Sequence, residues 1–529
     1  MTRVRRSVQM ISDRRKWVVL SVLIISLFSI VLDNTVLNVA LKTIADPTVG
    51  LGATQSQLEW AINSYTLVFA GLLFTFGVIG DRVGRKRMLI IGMALFGLAS
   101  LISSYAQTPA DLIWARAAMG LGGAAVMPQT LSIITNVFDP KERPKAIGIW
   151  ASAVGVAIAV GPVTGGLLLD HFWWGSVFLI NVPLTAAGVT AIALLVPESK
   201  SPAPGRVDHL GVLLSIAGLV LLVYGIIRGG DAASWLEPGV IGPVAAGIAV
   251  LTVFCVHESR TEHPSLDVRL FRDPRLSSAA AAIGLNFFAM SGVYFFMSFY
   301  LQNVRGYSPM HAGLLTTPVA LGQLVASNRS ASLVRRFGAK SVAAGGLAVV
   351  TGAVIGYHAL TTMTPIAALE CIFFLQGAGM GIVMPTATEL VMSVVPRERG
   401  GAGSAITNTS RQVAVALGVA VLGSILARSY RAGLGPGLGA LPAASRAAAA
   451  QSIAATEAVA GHLGQRGAPL MALAGRSFVH AMQVTTVVSA VIAATGAILI
   501  AIWMPGLRAA RRATGIAAGH APVAVMVED

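Results

Sequence analysis

Apolar residues run in long blocks along this chain, separated by short polar and charged clusters. A helix crossing a bilayer at about 1.5 Å per residue needs roughly 20 consecutive apolar residues. Blocks of that kind fall at 17–41, 58–80, 88–106, 110–133, 146–168, 176–196, 210–227, 239–256, 276–300, 310–334, 341–361, 364–394, 403–427 and 480–505. The pattern predicts an all-α integral membrane protein of fourteen transmembrane helices with both chain ends on one side. The first block follows Arg3, Arg5, Arg6, Arg14, Arg15 and Lys16, as in a secretory leader. It is longer than a leader's apolar core and is interrupted by Asp33, Asn34 and Asn38, so it reads as an uncleaved helix.

Composition agrees with the pattern. Only 12% of the 529 residues are charged and 55% are hydrophobic, against about 25% charged in soluble domains. A cytosolic enzyme or a disordered chain is excluded. The net charge of +15 invites a nucleic-acid reading, but its placement argues otherwise. Of the 38 Lys and Arg, 27 fall in the tails and loops on the side of the termini; the short loops opposite carry only Lys42, Arg228 and Arg305. That bias orients a membrane protein with its termini in the cytoplasm; no nucleic-acid partner is needed to explain it. Cys255 and Cys371 both lie in apolar blocks, and no metal site or cofactor is expected. None of the seven Lys follows a Gly, so the chain has no Walker A loop for ATP.

The blocks repeat. Val126-Met127-Pro128, followed by Asp139-Pro140-Lys141-Glu142-Arg143, is echoed by Val383-Met384-Pro385 and Val395-Pro396-Arg397-Glu398-Arg399. Gly161 is echoed by Gly418, and Val83-Gly84-Arg85-Lys86 by Phe337-Gly338-Ala339-Lys340. The offsets run from 254 to 257 residues, so each of the first six helices matches the one eight places later. The expected organisation is a basic tail (1–16), a six-helix bundle (17–196), an inserted two-helix hairpin with its flanking loops (197–275), a second six-helix bundle (276–506) with a long external loop (428–479), and a cytoplasmic tail (507–529). Parallel six-helix repeats are a transporter layout.

The loop after the second block reads Gly77-Val78-Ile79-Gly80-Asp81-Arg82-Val83-Gly84-Arg85-Lys86-Arg87. Its glycines permit close packing and a sharp turn, and Asp81 can pair with an Arg or a helix N-terminus. Arg85 is within reach of Asp139, so Gly77, Asp81, Gly84, Arg85 and Asp139 are candidates for a conformational latch between halves. The loop resembles motif A of the major facilitator superfamily. Block 4, around Arg116-Ala117-Ala118-Met119-Gly120, is similar to motif B, whose Arg that family links to proton transfer. Block 5, Gly155 through Gly161-Pro162-Val163-Thr164-Gly165-Gly166, resembles motif C of its antiporters. Leu32-Asp33-Asn34-Thr35-Val36-Leu37-Asn38 resembles the first-helix motif of the fourteen-helix drug:proton antiporters. The resemblance implies an antiporter gate at Gly161, Pro162, Gly165 and Gly166. Asn63 and Asn408 are neutral where some multidrug cation exporters of that family carry acids, which disfavours broad dicationic substrates.

A charge within a span is costly and marks a functional candidate. Asp33 and Arg116 lie at about the same depth, counted at about 1.5 Å per residue. A carboxylate beside a cation in a low-dielectric cavity can change protonation between states; a static ion pair is the alternative. Glu389 and Arg411 share a depth in the inner half and are candidates for a second pair; the sequence leaves open which way they face. Proton coupling is therefore assigned to Asp33, Arg116 and Glu389. Glu59 and Asp111, at helix ends, are read as solvated. The substrate cavity is assigned to Asn34, Asn38, Asn63, Arg411, Phe288 and Phe295, the last two from the aromatic-rich block 9. Together these readings imply proton-coupled efflux of amphipathic drug-like compounds or antibiotics by a bacterial plasma-membrane monomer. The alternatives are a dedicated exporter of one endogenous metabolite, a nutrient importer or a non-transporting receptor.

Overall fold

Helix starts are written locally. Thr54 and Thr108 each close a capping box, with Gln57 and Asp111 respectively, and Asp208 and Asp273 cap the helices they precede. In the computed structural model, residues 13–139, 142–200, 207–232, 234–262, 264, 266–395, 400–435, 438–439 and 441–504 are described. The predicted tails beyond these limits lie outside them, as do Pro140, Lys141 and 396–399 of the repeated loop.

The helices are α1 (Asp13–Ala45), α2 (Gln55–Val83), α3 (Arg85–Ser104), α4 (Pro109–Val137), α5 (Arg143–His171), α6 (Ser176–Leu195), α7 (His209–Asp231), α8 (Pro238–Arg260) and α9 (Pro274–Phe299). They continue with α10 (309–337), α11 (339–358), α12 (Ile366–Val394), α13 (Gly400–Leu434) and α14 (Gly467–Trp503). Thirteen helical stretches among the described residues are long and apolar enough to span a bilayer, and one of them, Pro309–His358, breaks at Gly338. Gly338 has φ 84°, in the region that favours glycine. Its two arms lie on the same stretch of α12: Val319 and Gln323 abut Gly377 and Gly381, while Gly346 and Val350 abut Val383 and Gly379. The chain therefore doubles back there, making fourteen passes.

The repeat recurs as packing. Gly120 of α4 seats on the backbone of Tyr65 in α2, and Gly377 of α12 seats on Val319 in α10. Gly122 seats on Gly92 and Phe96 of α3, and Gly379 on Gly346 and Val350 of α11. Each pair is displaced by the same 254–257 residues as the sequence echoes. Small residues at these points bring backbones into contact, which is how helices associate where lipid removes the hydrophobic drive. The inserted hairpin, α7 and α8, lies on one flank: Gly71 of α2 meets Ile216, and Gly230 meets Ser424 of α13. Large exposed apolar side chains such as Trp114, Leu194, Ile248 and Ile502 give the bundle an apolar exterior.

One expected segment differs. The loop predicted at 428–479 is largely helical: α13 runs on to Leu434, two short helices span Ala443–Ala449 and Ile453–His462, and α14 begins at Gly467. The Tyr430 and Phe478 rings lie 6.2 Å apart, and Tyr430 Oη and Thr456 Oγ1 share a 2.6 Å hydrogen bond. Lys42 at the end of α1 pairs with Glu457 at 3.4 Å. Ala, frequent in this segment, is the best helix former, and a few buried aromatics suffice to dock it.

Candidate transport site

A cavity of about 260 Å³ opens between the first six and last six helices. Asn34 and Asn38 of α1 and Ile62, Tyr65 and Phe69 of α2 line one wall; Phe287, Tyr294 and Met297 of α9 and Arg411 of α13 line another. Spacings of three, four and seven put each set on one helix face. Asn34, Asn38 and Arg411 thus line the cavity as expected, and three of the expected residues do not. Asn63 is fully buried away from it, with neither amide atom hydrogen-bonded, because it is one step off the face of Ile62 and Tyr65. The backbone of Phe288 abuts Gly418 of α13, and Phe288 does not line the cavity. Phe295 is buried against Phe299, with ring centroids 5.9 Å apart. Phe287 and Tyr294, four and seven residues from Ser291 and Phe287 in turn, hold the cavity face instead.

Asp33 and Arg116 form an ion pair, both 2% exposed or less. Arg116 also donates from Nε to the Ala61 carbonyl at 3.2 Å, and its guanidinium carbon lies 4.6 Å from the Tyr65 ring centroid. Asn181 of α6 donates to the other Asp33 oxygen at 3.0 Å and to Ser100 Oγ at 3.0 Å. Every formal charge is thus matched, as burial requires. Arg116 lines the cavity while Asp33 stands behind it, so the pair connects the cavity wall to a polar network reaching α6. Asn181, a lone amide in an apolar block, was the available sequence signal for that network.

Glu389 does not pair with Arg411. It is exposed, it does not line the cavity, and no ion pair joins it to Arg411 among the described residues. Equal depth along two helices leaves azimuth open, and the azimuths differ.

The motif C glycines lie at contacts of two kinds. A side chain at Gly161 or Gly165 would strike Thr35 or Val36 of α1. At Gly166, a Cβ would lie 2.5 Å from Met310 Cα, in α10. Gly313 of α10 reciprocally abuts the Pro162 carbonyl. The first six and last six helices therefore touch backbone to backbone here, at the end of the bundle remote from the start of α1 (the distal end). The same end is fastened by Gln302 Nε2 donating to the Val39 carbonyl at 2.9 Å and Ser308 Oγ donating to Asp170 Oδ2 at 3.2 Å.

A second distal seam joins α2 to α13. Gln55 Nε2 donates to the Gly423 carbonyl at 3.2 Å, and Glu59 packs on Gly423. Glu59 is 1% exposed, and its Oε2 has no hydrogen-bond partner. This corrects the expectation of a solvated helix end: α2 starts three residues earlier than predicted and α13 covers it.

At the opposite end, Arg85 pairs with Asp81 at 2.8 Å and donates to the Ser132 carbonyl at 3.3 Å. Asp139 is exposed and makes no contact with Arg85 among the described residues. The expected Arg85–Asp139 pair is replaced because Asp81, one turn away across Gly84, is nearer. Gly84 has φ 127°, and the Glu198 carboxylate fills the space a side chain would need. Glu198 accepts from the amides of Lys86 and Arg87 at 3.1 and 3.3 Å, an anion at the N-terminus of α3. The cluster as described ties α2, α3, α4 and the segment after α6 together. Gly77 and Gly80 let α2 approach Pro128 and Gln129 of α4.

An all-helical, fourteen-pass bundle with repeated packing and a central cavity defines a membrane transporter. Residues 23–419 match the Major Facilitator Superfamily, and the chain belongs to it. The chain is 34% identical to the multidrug efflux pump LfrA of Mycolicibacterium smegmatis, over 92% of this chain and 96% of that one. It is 31% identical to the tetracenomycin C resistance and export protein of Streptomyces glaucescens, over 78% and 76%. It is 32% identical to the methyl viologen resistance protein SmvA of Salmonella typhimurium, over 79% and 84%. In structure it resembles a bacterial homolog of the human lysosomal transporter Spinster in an inward-facing, unoccupied conformation. That likeness has TM-score 0.65 at 18% identity, covers 93% of this chain and 98% of that one, and concerns the fold alone.

Proposed function

We propose that this transporter exports amphipathic drug-like compounds or antibiotics in exchange for protons, working as a monomer in the bacterial plasma membrane with both termini cytoplasmic. The observation that carries this reading is the Asp33–Arg116 pair on the cavity wall. Substrate arriving beside Arg116 competes for its guanidinium, and a proton taken up by Asp33 releases it. Proton and substrate loading are thereby linked at one pair, the requirement of a coupled transporter, and the motif C resemblance supports exchange over co-transport. The cavity serves the two faces alternately as the two six-helix halves rock, with the distal seams at Gly166–Met310 and Glu59–Gly423 parting when it opens outward. One proton crossing 100 mV supplies about 2.3 kcal/mol, enough for roughly 50-fold accumulation at one net charge per cycle. The lysine and arginine bias supports the cytoplasmic orientation.

The test is a growth and dye-efflux panel in a pump-deficient bacterium, with and without an uncoupler. Resistance to several unrelated compounds, abolished by the uncoupler, is expected. Efflux that persists without a proton gradient would refute the coupling. Resistance to one compound alone would favour a dedicated exporter, a reading supported by the similarity to a tetracenomycin C export protein.

A further inference from the structure

The cavity's charge is unbalanced. Among the described residues no carboxylate lines it, whereas two arginines do. Arg116 is matched by Asp33, whose second oxygen is held by Asn181. Arg411 has no carboxylate within ion-pair distance among the described residues, and Glu389 faces elsewhere. The guanidinium carbon of Arg411 lies 5.8 Å from the Phe287 ring centroid. The remaining lining is neutral amide, hydroxyl, aromatic and aliphatic, including Tyr65, Tyr294 and Gln412. A half-buried cation without a counter-charge, beside aromatic faces, has strong unspent capacity for an anion. An arginine in particular offers a planar fork that grips a carboxylate or phenolate while its face stacks on a ring.

We infer that this cavity selects aromatic anions, with Arg411 binding the carboxylate or phenolate and Phe287, Tyr65 and Tyr294 flanking the ring system. Dications are disfavoured because they would meet an uncompensated positive charge with no acid to receive them. The inference rests on the central cavity being the export site. It has an energetic corollary: exporting a monoanion against one entering proton moves two charges per cycle in the same electrical direction. Transport then responds to membrane potential, whereas exchange of a monocation for one proton is electroneutral.

The test uses two dyes with the same tricyclic body and opposite charge, fluorescein and rhodamine 123. Equilibrium binding to the purified full-length protein is measured without a pH gradient, for wild type, Arg411→Gln, Arg411→Lys and Arg411→Glu. Wild type is expected to bind fluorescein at least tenfold more tightly than rhodamine 123. Arg411→Gln removes that preference, Arg411→Lys restores part of it, and Arg411→Glu reverses it. The lysine variant keeps the charge and thereby separates loss of the anion site from misfolding, which thermal melting checks independently. A wild type that prefers rhodamine 123, binds no fluorescein, or keeps its preference in a folded Arg411→Gln overturns the inference. Transport of both dyes is then followed in proteoliposomes. Arg411-dependent fluorescein binding with transport of neither dye leaves the anion site standing and refutes the export reading. Rhodamine transport without Arg411-dependent fluorescein binding refutes the anion site alone.

Discussion

Gly166 offers a steric test of the distal seam. A Cβ placed on it lies 2.5 Å from Met310 Cα and 2.6 Å from the Pro309 carbonyl oxygen. Both are backbone atoms, so no side chain can swing aside to make room. Overpacking of this kind costs about 1–3 kcal/mol. The contact joins α5 to α10, so the cost falls only on the conformation in which the halves meet distally. A penalty confined to one of two states shifts their ratio by roughly 5- to 150-fold. Gly166→Ala is therefore expected to enrich the distally open state, and Gly313→Ala, which abuts the Pro162 carbonyl from the other side, to do the same. Because the two substitutions spread one seam, their combination should shift less than the sum of the two. Gly155 has nothing within 4 Å of its Cβ direction, so Gly155→Ala should be silent. Gly161→Ala presses on Thr35 within the first six helices and should lower stability without the same bias. The assay is labelling of Asn38→Cys in the cavity wall by a membrane-impermeant maleimide added outside, in a background lacking Cys255 and Cys371, both exposed. Unchanged labelling in a well-expressed Gly166→Ala would refute the seam as a moving contact. So would an equal increase in Gly155→Ala.

Four further outcomes are expected. Asp33→Asn leaves Arg116 buried without its counter-charge, a loss of about 3–5 kcal/mol; pH-gradient-driven efflux should vanish, and wild-type efflux at equal expression would remove Asp33 from the coupling site. Asp81→Ala breaks a partly exposed pair worth about 0.2–1 kcal/mol, so transport should fall while equilibrium substrate binding holds; a hundredfold weaker binding would put this loop in the substrate path instead. Glu59→Gln keeps the shape of a side chain whose Oε2 has no partner; the melting temperature should be maintained or raised, and Gly423→Val, which intrudes on Glu59, should lower it. Glu389→Gln, on an exposed face away from Arg411, should leave the pH dependence of efflux unchanged; a shifted profile would return Glu389 to the coupling site.

Properties set by local order along the chain are legible in the sequence. Block length fixes the number of passes, because a helix must be long enough to cross and its backbone must satisfy itself in lipid. The offset of 254–257 residues announced the repeat, and the same offset relates Gly120–Tyr65 to Gly377–Val319. Depth, which is simply distance along a helix, was enough to bring Asp33 and Arg116 together. Azimuth was another matter. Glu389 and Arg411 share a depth and face apart, Asn63 turns from the cavity that Tyr65 lines, and Phe287 and Tyr294 replace Phe288 and Phe295. A rotation of about 100° per residue makes a neighbouring position a different surface, and which surface meets the cavity depends on how every other helix packs. Partners remote in sequence were equally hidden: Asn181 for Asp33, Glu198 for the turn at Gly84, Met310 for Gly166 and Gly423 for Glu59. Only tertiary packing decides such pairings, because each depends on the crossing of two helices whose sequences carry no record of their relative rotation.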